Sequence, residues 1–462
     1  MENKINKLEI IGLHGNRNLT IPIENNRLVL VGENGTGKST VAYIFYYILT
    51  KQWVRLSNYS FKELRLYIND EKITILSDDI QNSAITSLRN DKFSALCVEF
   101  MNKRNITSKE IIASDYLLNE LRSYLLHFYG RAPPREYMYD KILALSSYER
   151  NPPSENLKKI ENSIDDLFKC AVLFLPTFRR IEQDFKVIYP KLADEFKRYN
   201  EDFDMHATDK KHMELVKFGM NDVVRMIKMT MGDFKDSFRK SLENLMGTYL
   251  KDILQQKHRD IDIEIEKISE KLDITFQRID ENILSKEDKE VLRKTINEII
   301  SGKDVSGDDY VIAHFLSKLI KINEDQSEKE KSVKDFIRVC NSYLEDRLKI
   351  EYDNAKFTVE VKTKYKLLNE NAYKKIEFDD LSSGEKQIVS LFCHLNLSNQ
   401  EEYFVIIDEP ELSLSVPWQR KILPDIINSG KCSGLLAVTH SPFVFDNCLE
   451  PFTHSIEEFV KE

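Results

Sequence analysis

The chain has 462 residues, enough to bury a sizeable core and more than one ordinary domain needs. Its 67 basic and 76 acidic side chains leave a formal charge of −9, which excludes the basic balance of a nucleic-acid coat protein, although a local basic patch can still meet phosphates. Six scattered cysteines without a Cys-x-x-Cys pair argue for a reducing compartment and against zinc, and no window approaches the roughly 18 apolar residues of a membrane span, so a cytoplasmic protein with no membrane partner is expected.

Lys7–Ile11, Leu19–Ile23 and Leu28–Val31 are short apolar runs separated by Gly, Asn and Pro, which is how buried strands are bounded. The third runs into Gly32-Glu33-Asn34-Gly35-Thr36-Gly37-Lys38-Ser39-Thr40, and helix formers with aromatics follow to Leu49. A strand, a G-x-x-x-x-G-K-S turn and a helix together make a phosphate-binding loop. The glycines let successive N–H groups converge on an anion at the positive end of the helix. Lys38 is then expected to reach the β- and γ-phosphates of ATP, with Ser39 on Mg²⁺. Next, Leu64, Leu66 and Ile68 alternate, turn at Asn69-Asp70 and resume at Ile73 and Ile75, which is a hairpin pattern.

From about Ser108 to Lys169 the spacing is helical, broken at Pro133-Pro134 and Pro152-Pro153. Ala171–Leu175 reads as a core strand delivering polar residues to its C-terminal edge, where open α/β sheets place ligands. Arg179, Arg180 and Gln183 face nucleotide, couple it to the helical region, or make surface salt bridges; the sequence leaves these open. Between Tyr199 and Leu348 glycine is rare. Ile261, Ile265, Ile268, Leu272, Ile279 and Ile283 keep near-heptad spacing for an arm of only about 30 Å. A loop at Gly302–Asp309 and a helix over Tyr310–Ile322 suggest that the chain turns back.

Lys356–Val361 alternates as a strand, and Lys375–Phe378 leads to Leu381-Ser382-Ser383-Gly384-Glu385-Lys386-Gln387, a segment that opens a helix. Serine hydroxyls, a glycine amide and a helix N-terminus form a polar cap for an anion, with Ser382 the expected γ-phosphate contact and Ser383, Gly384 and Glu385 beside it. Tyr403–Ile407 is an apolar strand ending in Asp408-Glu409-Pro410. Asp408 is expected in the Mg²⁺ shell and Glu409 as the base that activates water. Gly434–Val438 is a further apolar strand, with Thr439-His440-Ser441-Pro442 at its tip.

The order of these motifs resembles the ABC ATPases of the SMC, RecF and OLD group: Walker A at Gly32–Ser39, signature at Ser382–Gln387, Walker B at Asp408-Glu409-Pro410-Glu411 and a switch histidine at His440. The resemblance implies an α/β P-loop head built from both ends of the chain, with a large helical insertion and a short coiled-coil arm. The corresponding divisions are 1–107 and 349–462 for the two parts of the head, 108–198 for a helical segment with a core strand, and 199–348 for the insertion. It also implies ATP hydrolysis at a dimer interface, His440 on the γ-phosphate, Glu411–Ser415 crossing to the partner, and Gln183 as a Q-loop ligand of Mg²⁺. The chain departs from many relatives in carrying Ser415 where they have His, and no glutamine directly follows Leu173–Thr177.

Phe174–Glu182 and Phe218–Val223 resemble OLD-like ATPases of antiphage defence operons such as PARIS and Septu. That likeness implies a homodimer or higher homo-oligomer acting as an ATP-driven sensor. It would hold a separately encoded nuclease or toxin effector and answer a phage-encoded trigger. With 22 residues after His440, no Toprim domain is expected. A RecF- or SMC-like DNA-repair ATPase with nucleic acid as partner is the alternative. Lys362, Lys364 and Lys366 offer it a basic strand edge or else form a solvated face.

Overall fold

Residues 4–81, 92–104, 106–129, 138, 142, 155–176, 212–214, 220–256, 275–279, 284–301, 307–344, 347–367 and 370–461 are described in a computed structural model. In chain order the strands are β1 (Ile5–Leu13), β2 (Arg17–Pro22), β3 (Arg27–Val31), β4 (Glu63–Ile68), β5 (Glu71–Leu76), β6 (Ala171–Leu175), β7 (His212–Glu214), β8 (Leu348–Asp353), β9 (Thr358–Leu367), β10 (Glu370–Ile376), β11 (Tyr403–Asp408), β12 (Cys432–Val438), β13 (Thr453–Ser455) and β14 (Val460–Lys461). The longer helices are α1 (Lys38–Leu49), α2 (Lys92–Arg104), α3 (Asp115–Tyr129), α4 (Glu155–Leu167), α5 (Asn221–Leu254), α6 (Lys286–Ile300), α7 (Gly307–Lys329), α8 (Lys331–Leu344), α9 (Ser383–Leu397) and α10 (Val416–Ile427). Two compact units result: Met1–Val216 with Gln400–Glu462, and Lys217–Asn399.

The first unit is α/β and draws on both ends of the chain. One sheet, ordered β14-β2-β1-β4-β5, is antiparallel, with the expected hairpin pairing Leu66 to Ile73 and Leu64 to Ile75. The other, ordered β13-β3-β12-β11-β6-β7, is wholly parallel. Its inner strands are continuous apolar runs because parallel strands are covered on both faces. Leu436 on β12 pairs with Leu28 on β3, so the central sheet needs residues from the two chain ends.

Helix α1 is apolar on nearly every side for the same reason. Val41, Ile44, Phe45, Tyr46 and Ile48 are all buried in one core that takes side chains from both sheets. Tyr46 stacks on Phe174 of β6 with ring centroids 4.3 Å apart, and Phe45 meets Phe404 of β11 at 5.5 Å. Gly434 is fixed by this packing, since a Cβ there would lie 2.4 Å from the Phe404 ring. The phosphate loop, the Asp408-Glu409 turn and the Thr439-His440 tip leave the parallel sheet at the carboxyl ends of β3, β11 and β12, the edge where such sheets bind ligands.

In the second unit, α5 runs for 34 residues, about 51 Å at 1.5 Å per residue. Its first turn is tied to the segment around α9: the Met220 amide donates to Asp379 Oδ1 at 3.1 Å, and Asp222 Oδ2 lies 2.9 Å from His394 Nε2. Leu245, toward the other end of α5, joins Phe276, Ile279, Ile296, Leu316, Leu319 and Ile320 in a separate apolar cluster. Of the near-heptad residues only Ile279 lies among the described residues, and it is buried in this cluster. Of the loop expected at Gly302–Asp309, residues 302–306 fall outside the described residues, and α7 begins at Gly307. The helix also continues past Ile322 to Lys329.

Glu330 sits at the break between α7 and α8, fully buried, and accepts from Arg278 Nη2 at 2.8 Å. Neither side chain has more than 1% of its surface exposed. Removing one partner of such a pair strands the other charge in a low-dielectric interior. Glu330→Ala is therefore expected to cost about 3–5 kcal/mol, read as a lower guanidinium midpoint for this unit. A midpoint within error of wild type would contradict the assignment.

Candidate nucleotide site

The loop after β3 has the backbone that the sequence demands. Gly32, Gly35 and Gly37 sit at φ 145°, 78° and 96°, a region that side chains with a Cβ disfavour. Lys38 opens α1 with only 3% of its surface exposed, and its Nζ donates to the carbonyls of Gly32 at 2.9 Å and Glu33 at 2.7 Å. Thr36 Oγ1 donates to the Glu33 carbonyl at 2.8 Å. The loop is thus wrapped around its own lysine, with Glu33, Asn34 and Gly35 outward and Ser39 and Thr40 in the first helical turn.

One buttress was not legible in the motif. Arg17, the first residue of β2, donates from Nη1 to the Thr36 carbonyl, and the same nitrogen lies 3.6 Å from where a Cβ on Gly37 would be. A guanidinium therefore closes the loop from the side of the antiparallel sheet.

Ser39 Oγ donates to Asp408 Oδ1 at 3.0 Å, joining residues 369 positions apart. Asp408 is the last residue of β11 and is fully buried. A hydroxyl and a carboxylate side by side are hard oxygen donors that fit Mg²⁺. No cluster of three or more His, Cys, Asp or Glu able to hold a metal occurs among the described residues. Mg²⁺ is usually held by one or two protein ligands, with phosphates and water completing its shell. Burial pushes the Lys38 ammonium below its ordinary value, and Asp408, Glu409 and Glu411 pull it back up. The lysine and the three carboxylates therefore share one electrostatic neighbourhood.

Glu409 follows at φ 51°, a left-handed backbone that a bulky residue seldom adopts, and its amide donates to the Val438 carbonyl at 2.8 Å. That turn aims the chain out of the sheet beside the phosphate loop. At the tip of β12, Thr439 is buried and donates its amide to Leu30 at 3.1 Å, while His440 is exposed. Glu411 binds this tip with both oxygens, one accepting from Thr439 Oγ1 at 2.7 Å and the other from the His440 amide at 2.8 Å. Lys38, Ser39, Asp408, Glu409 and His440 thus lie along one sheet edge. Gln183, Arg179 and Arg180 fall outside the described residues.

The second unit holds the other segment. Ser382 is the N-cap of α9 and forms a capping box with Glu385, whose Oε2 accepts from the Ser382 amide at 2.7 Å. Arg347 Nη2 donates to the other Glu385 oxygen at 2.8 Å. Burial works to raise the Glu385 pKa, but the hydrogen bonds from Ser382 and Arg347 outweigh it and hold the carboxyl below its ordinary range. Ser382 and Ser383 are exposed while Gly384 and Glu385 are buried, so a serine edge faces outward from a braced helix start. The sequence places Glu385 beside the expected γ-phosphate contact. The geometry gives it the part of a brace.

Among the described residues, no helix is long and apolar enough to cross a membrane. Comparison with known proteins adds a family. The Pyrococcus furiosus Smc head domain with an extended coiled coil, bound to the C-terminal domain of ScpA, is 13% identical, with 96% of this chain and 90% of that one covered and a TM-score of 0.32. An SmcHead bound to the C-winged helix domain of ScpA is 12% identical over 95% of this chain and 90% of that one, also with a TM-score of 0.32. No curated protein matches the chain. Residues 4–445 match the family described as AAA ATPase domain, which takes in the phosphate loop, the Ser382 segment, Asp408-Glu409 and His440, and the chain belongs to that family.

Proposed function

We propose that this protein is an ATP-hydrolysing, oligomeric sensor and scaffold of an antiphage defence system, in which ATP is held between two protomers. The observation that carries the nucleotide reading is the Ser39–Asp408 hydrogen bond, since it joins the two motifs whose hydroxyl and carboxylate would hold a Mg²⁺ that would neutralise phosphate charge. In this reading Lys38 neutralises the phosphates, Glu409 orients and deprotonates water, His440 meets the γ-phosphate, and Ser382 of a second protomer closes the site. Ligand contacts of Gly32–Thr40 and Ser382–Glu385 follow from the same reading. Leu412, Val416 and Phe443 keep 38%, 41% and 36% of their surface exposed, and apolar exposure next to Glu409 and His440 favours a second copy as the covering surface. The defence role, with a nuclease or toxin effector and a phage-encoded trigger, is supported by the likeness of Phe174–Glu182 and Phe218–Val223 to OLD-like defence ATPases.

A DNA-binding ATPase is the second reading. In its favour, Lys349, Lys362 and Lys375 stand in one row across β8, β9 and β10, with Lys364 and the exposed Tyr373 in the next. Against it, Glu351 and Glu360 pair with all three lysines of that row, which leaves little unbalanced charge.

The composite site is tested by mixing. Ser382→Arg should keep ATP binding and lose hydrolysis, and Lys38→Ala should lose both. An equal mixture of exchanging subunits should recover about a quarter of wild-type turnover, because half the dimers are mixed and each has one intact loop opposite one intact signature. No recovery despite demonstrated exchange would place the whole site in one chain. Expressing the chain with and without its neighbouring genes, and assaying growth and nucleic-acid integrity, tests the defence role. Metal-dependent cleavage by the homogeneous protein alone would overturn it.

A further inference from the structure

We infer that Glu411 is a positioning residue for His440 and makes the place of that histidine depend on the conformation of the loop Glu411–Ser415. The inference rests on the reading of His440 as the γ-phosphate contact.

Both carboxylate oxygens of Glu411 are committed to the tip of β12, one to the Thr439 hydroxyl at 2.7 Å and one to the His440 amide at 2.8 Å. Thr439 Oγ1 in turn accepts from the Ser441 amide at 3.0 Å, and Ser441 Oγ donates to Gln419 Oε1 at 2.6 Å, so the tip is held from α10 as well. The loop that carries Glu411 is itself defined. Leu414 is buried and its amide donates to the Glu411 carbonyl at 3.0 Å, while Ser413 takes φ 61° and Leu412, Ser413 and Ser415 are exposed. A second copy that shifted those exposed residues would pull on Glu411, and through it on the backbone of His440. The field of the same carboxylate also reaches Lys38. One side chain therefore links the surface loop, the histidine and the phosphate lysine.

The chemistry of the two bonds sets the test. Both groups donate, so both oxygens must accept, and glutamine supplies a single acceptor. Glu411→Gln can keep the His440 amide bond while the Thr439 hydroxyl turns to accept from the new NH₂. Glu411→Ala loses both. ATP turnover and ATP affinity would be measured on the full chain for Glu411→Ala, Glu411→Gln, His440→Ala and the Glu411→Ala/His440→Ala pair. The alanine variant should lower kcat about tenfold or more with ATP affinity within about twofold of wild type, and glutamine should recover part of the loss. The double variant should turn over no more slowly than His440→Ala alone, because a residue that acts through histidine has nothing left to position.

Wild-type kcat in Glu411→Ala, with His440→Ala slow, overturns the inference and leaves the reading of His440 standing. Multiplying losses in the double variant also overturn it. Wild-type turnover in His440→Ala sinks the reading of His440 and the inference together. If Glu411→Ala fails to fold, Glu411→Gln carries the same comparison against His440→Ala.

Discussion

Lys38→Ala is expected to remove tight ATP binding. The ammonium is buried, already desolvated, and held at the mouth of the loop by the Gly32 and Glu33 carbonyls. It stands ready to exchange those weak partners for phosphate oxygens. Truncating one side of a buried charge pair costs about 2–5 kcal/mol, which corresponds to a rise in Kd of roughly thirty- to several-thousand-fold. The change also removes the cation whose charge Asp408, Glu409 and Glu411 balance. Calorimetry would measure the affinity directly. Equal affinity in wild type and variant would show that the triphosphate binds elsewhere.

Glu409→Gln is expected to do the opposite: binding persists and turnover falls. Glu409 follows directly after Asp408 with a left-handed backbone, beside the Ser39–Asp408 hydrogen bond, where the proposed reading puts the general base. Losing a general base costs about 10²–10⁴ in rate. The backbone geometry survives, since the amide bond to Val438 does not involve the side chain. Single-turnover hydrolysis alongside equilibrium binding separates the two effects. A normal rate with glutamine at this position would move the base to another residue.

The strands β1 to β6, the phosphate loop and the start of α9 were legible in the sequence because each is announced by local signals, namely apolar runs, glycines at fixed offsets and a capping serine. Even Ser39 and Asp408, far apart in sequence, could be brought together on paper, since each belongs to a motif whose chemistry requires the other. Glu411, Arg17 and Arg347 could not. Glu411 acts on a backbone amide 29 residues away and Arg17 on a carbonyl 19 residues away. Arg347 braces Glu385 from the residue just before β8, 38 positions away. Side-chain bonds to backbone groups leave no periodicity and no motif. The same limit hid what Ile279 packs against, because a helical period cannot say what covers it.

The pairing of β3 with β12 has a consequence for synthesis. Leu28 must wait for Leu436, and at 5–20 residues per second the intervening stretch of about 400 residues takes roughly 20–80 s to emerge from a ribosome. During that interval β3 has neither of its parallel neighbours, since β13 emerges later still. The antiparallel hairpin β4–β5 needs only local chain and can form within the first seconds. A nascent chain that has not yet reached Asp408 therefore carries the glycine loop without the carboxylate to which Ser39 donates, so that contact can form only after translation has passed residue 408.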